Sequence, residues 1–134
     1  MENILNKEAV QRVQKILNDY NKDLKAIVLN SSARTAKEAA ESLNTEVGSI
    51  VKSLLFKTED SFVLCLVSGD KRCSLNKLKK IKNQKDICMA NADQVKEITG
   101  FTIGGVSPVG HINQIEIYID NELSRFKYVY AAAG

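Results

Sequence analysis

Histidine and proline are nearly missing. The 134-residue chain holds one of each. A single imidazole leaves one side chain whose ordinary pKa lies near neutrality, so no His-pair acid–base arrangement can be built. The three cysteines, Cys65, Cys73 and Cys88, are scattered and form no C-x-x-C. With one His, that argues against a metal site. Three unpaired thiols point to a reducing, cytoplasmic setting. There is no G-x-S-x-G elbow, no Walker loop and no G-x-G-x-x-G. No apolar run approaches the length of a membrane span. The amino terminus is polar and lacks an apolar signal core.

What is present fits one soluble domain over residues 1–134, with 44% hydrophobic and 26% charged residues. The net charge, 19 − 16 = +3, permits a polyanionic partner without demanding one. The two rare residues fall together in Gly104-Gly105-Val106-Ser107-Pro108-Val109-Gly110-His111. Paired glycines allow positive φ and close approach of a ligand. Pro108 fixes its own φ and pushes Ser107 toward an extended shape. The stretch reads either as a stiff loop offering the amides of Gly104 to Ser107 to an anion or oxyanion, or as a tight connecting turn.

Helical spacing puts Val10, Val13, Leu17 and Tyr20 on one stripe after a cap at Asn6. Ala26 to Leu29 reads as a short buried strand, followed by the polar loop Asn30-Ser31-Ser32. Thr35 to Glu38 fits a capping box for a helix ending at Leu43. Ile50 to Lys57 and Phe62 to Val67 read as antiparallel neighbours, the second apolar on both parities and therefore central. Ser74 caps a short helix with Leu75, Leu78 and Ile81 inward and Lys77, Lys79, Lys80 and Lys82 outward. Asp86 to Met89 reads as a strand. Asn91 starts a helix that Gly100 ends. Ile115, Ile117 and Ile119 alternate along a half-exposed strand, Asn121 to Phe126 forms a helical turn, and Tyr128 to Ala132 a last strand. The fold class is α/β (α+β), with a mixed, mostly antiparallel sheet flanked by short helices.

Lys52 shares strand parity with Ile50, Leu54 and Phe56. Such a lysine must reach water, pair, or line a pocket. Cys65, inside a buried strand, reads as a small core hydrophobe. The lysine run from 77 to 85 reads as a solvated helix face or as a phosphate-contacting patch.

Taken in order, Val51-Lys52-Ser53-Leu54, Gly104-Gly105-Val106-Ser107-Pro108, Ile119-Asp120 and Ala133-Gly134 resemble the YbaK/ProX superfamily of aminoacyl-tRNA trans-editing domains. The resemblance covers nearly the whole chain and implies a small YbaK-like α/β domain. It implies a deacylase acting on mischarged tRNA, chiefly proline tRNA carrying a small wrong amino acid, without a cofactor. Lys52 then holds the phosphate or ribose end of the substrate. Gly104 to Pro108 form the G-x-x-x-P loop whose amides face the aminoacyl ester. Asn30, Ser31, Leu54, Asp120, His111, Ala133 and Gly134 are the expected substrate-side residues, His111 on the rim. The implied partners are the acceptor end of aminoacyl-tRNA and prolyl-tRNA synthetase or other translation factors. Relatives of this kind continue past the position of Gly134, so a shortened carboxyl end is expected here. Two other functions fit the same residues: a non-catalytic relative that binds tRNA or a synthetase, and an esterase for another small acyl ester.

Overall fold

A computed structural model describes residues 4–29 and 33–134. In chain order the elements are α1 (Glu8–Tyr20), α2 (Ala36–Leu43), β1 (Val51–Lys57), β2 (Phe62–Ser68), α3 (Leu75–Lys82), β3 (Cys88–Met89), α4 (Ala92–Thr99) and β4 (Glu116–Ile119). Short 3-10 turns lie at Ile4–Asn6, Val47–Ser49 and Asn121–Arg125. The sheet order is β3-β1-β2-β4. β1 and β2 are antiparallel from Val51 opposite Ser68 to Lys57 opposite Phe62. β4 runs parallel to β2. β3 reaches only Phe56 and Lys57 of β1.

β2 is apolar on both faces and must be covered on both. Leu64 and Leu66 pack with Val51, Leu55, Val95, Phe101 and Val106 on one side. Val63, Cys65 and Val67 pack with Phe56, Leu78 and Ile87 on the other. α2, α3 and α4 start where their capping residues stand. Thr35 accepts from the N–H of Glu38 at 3.1 Å, and Ser74 from that of Lys77 at 3.2 Å. The reciprocal capping box forms at Asn91 and Gln94, at 2.8 and 2.9 Å. Gly100 ends α4 with φ +80°.

Several sequence expectations are corrected. Ala26 to Leu29 is not a strand. Gln14 on α1 takes the backbone bonds there, donating to Leu24 O at 2.9 Å and accepting from Ala26 N at 2.7 Å. Ile27 and Val28 consequently stay exposed. Asn6 sits in the 3-10 turn, and α1 has no side-chain cap at Lys7. Tyr20 and Ile81 project to solvent because α1 and α3 overrun the core at their last turns. The strand expected over Asp86–Met89 is limited to its last two residues. The last strand shrinks to one parallel bridge between Ile50 and Tyr130. Asn30 and Ser31 lie outside the described residues.

Candidate active site

A cleft of about 550 Å³ opens along the side of β1 that β3 leaves uncovered. Lys52, Ser53 and Leu54 form its floor, Gly104, Gly105 and Val106 one wall, and Tyr130 to Gly134 another. Arg34 and Met89 also border it.

The loop wall is built from α4 outward. Gly100 turns the chain out of the helix, and Phe101 and Val106 plug into the core, 1% and 5% exposed. Gly104 lies between them with φ +87°, and a Cβ added there would meet no atom within 4 Å. That face is open to the cleft. The N–H of Gly105 is occupied, donating to Thr102 O at 2.8 Å. The amides of Gly104 and Val106 have no acceptor among the described residues.

Ser107, Pro108 and His111 do not border the cleft; they brace the loop from behind. Ser107 is fully buried, and its Oγ accepts from Val109 N at 3.1 Å. The ring Nε2 of His111 bonds the Ser107 carbonyl at 2.7 Å, and the ring meets Phe101 edge-on at 5.9 Å. His111, expected on the rim, does not border the cleft, and one of its two ring nitrogens holds the main chain of the loop. Arg12 on α1, which no local pattern marks, completes the brace. Its guanidinium donates to Gly110 O and Gly100 O, each at 3.2 Å, and lies 4.9 Å above the Phe101 ring.

Strand alternation puts Lys52, opposite Val67, on the α3 side of the sheet, and Val51 and Ser53 on the side of Val106. Lys52 and the loop border one cleft because the cleft lies at the strand edge, reachable from both faces. The Lys52 ammonium donates to the main-chain carbonyl of Lys71. Ser53 carries the one buried side-chain oxygen without a partner among the described residues. Its signal in the sequence was faint: a polar residue on the core parity, between Val51 and Leu55.

Asp120 lies elsewhere. Its carboxylate accepts from Ser68 N at 3.1 Å and from Glu122 N at 2.9 Å. It borders a separate cavity of about 320 Å³ with Cys65, Cys73 and Tyr118. Burial, with the Cys73 thiol beside it, pushes the Cys65 thiol up to about 12. A thiol held that high is not a nucleophile at neutral pH.

A mixed α/β domain with a glycine loop set against an open strand edge is the class that fold and cleft define. The chain belongs to the aminoacyl-tRNA editing domain family, which it matches over residues 30–134. It is 37% identical over 100 residues to a proline–tRNA ligase of Caldicellulosiruptor saccharolyticus, covering 75% of this chain and 17% of that one. The chain thus spans about a sixth of that enzyme's length. It is 31% identical over 127 residues to the uncharacterised protein YwhH of Bacillus subtilis, covering 94% of this chain and 80% of that one. A crystal structure of a candidate trans-editing enzyme for prolyl tRNA synthetase superposes with a TM-score of 0.88 at 42% identity, over 96% of this chain and 82% of that one. Among the described residues no helix is long and apolar enough to cross a membrane.

Proposed function

We propose that this protein is a trans-editing deacylase that hydrolyses the ester of mischarged tRNA, in the first place proline tRNA carrying a small wrong amino acid. The observation that carries the reading is the cleft itself. It is bordered by a lysine, Lys52, and by a loop whose amides at Gly104 and Val106 have no acceptor among the described residues. None of the cysteines or the histidine borders it. An aminoacyl ester is already activated, so holding a ribose hydroxyl or water against the carbonyl supplies much of the rate through positioning. Amides aimed at the developing oxyanion add roughly 10²–10³-fold per donor. Lys52 grips the phosphate or ribose end. The basic face of α3 receives the acceptor stem.

The test is deacylation of a panel of mischarged tRNAs, with uncharged tRNA as competitor. Turnover of a small-amino-acid ester of proline tRNA, inhibited by uncharged tRNA, is the expected result. Hydrolysis of simple acyl esters without such competition would favour a general esterase. Tight tRNA binding without turnover would favour a silent binding protein.

A further inference from the structure

The uncovered edge of β1 has a definite polarity. Val51 N donates outward to Tyr130 O at 2.8 Å, and Leu55 O accepts from Ala90 N at 3.0 Å. Both bonds leave the strand on the side away from β2. Along a strand the N–H and C=O of residues i, i+2 and i+4 point the same way. Ser53, midway between Val51 and Leu55, therefore turns its N–H and C=O outward too, into the cleft. Neither group has a partner among the described residues. Tyr130 and Ala90 flank this one-residue gap, and neither fills it. Its hydroxyl is also without a partner among the described residues and is the buried one of the three, whereas buried polar groups in folded proteins are nearly always paired.

We infer that the main chain of Ser53 is the binding site for the aminoacyl group of the substrate. This rests on the deacylase reading above. In an antiparallel hydrogen-bonded pair, two residues facing each other exchange both N–H···O=C bonds. An aminoacyl ester offers one such set: an α-ammonium donor and a carbonyl acceptor on a single residue. It completes the gap as a strand one residue long, its ammonium donating to Ser53 O and its carbonyl accepting from Ser53 N. The ammonium bond is charge-assisted and the stronger of the two. The ester carbonyl keeps a second lone pair for an amide of the glycine loop. Recognition by main chain accepts any small amino acid by its invariant part and leaves the side chain to be selected by the rest of the cleft. It also favours a free amine, because an acylated one keeps an N–H but loses the charge that strengthens the bond.

The experiment uses Ser53→Pro, which deletes the N–H without touching the β1–β2 ladder. Proline is accepted in strands only where its missing N–H faces away from the ladder. Ser53→Ala keeps the N–H and is the reference. Single-turnover deacylation by Ser53→Pro should run at least tenfold slower than by Ser53→Ala, with equal affinity for uncharged tRNA. Wild-type protein should cleave an N-acetylated aminoacyl-tRNA at least tenfold more slowly than the free-amine substrate, each rate taken relative to the spontaneous hydrolysis of the same ester. Should Ser53→Pro fail to fold, the acetylated substrate decides alone. A folded Ser53→Pro at the Ser53→Ala rate, or equal accelerations over spontaneous hydrolysis for acetylated and free substrates, would overturn the assignment while leaving the deacylase reading intact. A wild-type protein inactive on every aminoacyl-tRNA would remove that reading first.

Discussion

The ammonium of Lys52 is held by the main-chain carbonyl of Lys71, in the turn that follows β2. Lys52 is thereby tethered by a neutral acceptor rather than by a carboxylate. That distinguishes it from a lysine locked in a structural ion pair, as Lys82 is with Glu116 at 3.1 Å. Lys52→Ala should lower single-turnover deacylation about 10–100-fold, the equivalent of one hydrogen bond to a charged group. The fold should survive, since the side chain adds one carbonyl bond and does not pack in the core. A variant with parent activity and parent unfolding temperature would take Lys52 out of the site.

Gly104 is where space and backbone conformation can be separated. An added Cβ touches nothing in the protein, but φ +87° disfavours any L side chain. Gly104→Ala should cost about 1–2 kcal/mol of stability through that strain. Its chemical step should fall by roughly 10²-fold, because the methyl occupies the open face and the amides tilt. Affinity for uncharged tRNA should hold. Single-turnover rates beside equilibrium binding separate the two effects.

Arg12 joins both ends of the loop to α1. Arg12→Ala removes two charge-assisted bonds and the guanidinium stacked on Phe101. The expected loss is about 1.5–3 kcal/mol, read by denaturant unfolding. Arg12→Lys should recover only part, since one ammonium cannot fork between two carbonyls. A variant as stable as the parent would show that the loop holds its shape without α1.

Neutralising Lys77 and Lys80 tests whether α3 meets nucleic acid. If each lysine sits on a phosphate, the slope of log affinity against log salt should shrink by about 0.9 for every phosphate left without its cation. An unchanged slope would return α3 to a merely solvated helix.

Asp70 contributes to the acid limb, as do Asp60 and Glu116, whose pKa values are also lowered. Arg125, donating at 2.8 Å, and the Ser68 hydroxyl hold its carboxyl down to about 2, from an ordinary 3.8. The native state therefore prefers the ionised form. This contribution is complete above the ordinary value and disappears as pH falls through about 2. In pH-dependent unfolding, the gap between the protein and Asp70→Asn should be constant above about pH 4 and close between about pH 4 and 2.

Local chemistry was legible where a residue type has few uses. Val10 and Val13 marked the buried stripe of α1, Ser74 and Asn91 marked helix starts, and Gly100 an end. The cleft was legible through its rarest parts, Lys52 on an apolar parity and the paired glycines. The rest depended on distant partners. Ile27 and Val28 look like a strand, but Gln14 captures their neighbouring backbone. His111 looks like a site residue until its ring is seen on the Ser107 carbonyl. Arg12 acts on carbonyls 88 and 98 residues away, and no pattern around it says so. Ser53 matters because of what fails to pair with it, which only the assembled sheet reveals.

The bridge between Ile50 and Tyr130 has a consequence for how the molecule comes into being. It joins residues 80 positions apart in sequence, and with it arrives one wall of the cleft. Closing so long a loop is entropically late work, whereas β1 and β2 meet across a short turn. A folding chain can therefore hold its central hairpin, with Lys52 on it, before this wall of the cleft is in place. On that ordering the floor of the cleft precedes its wall.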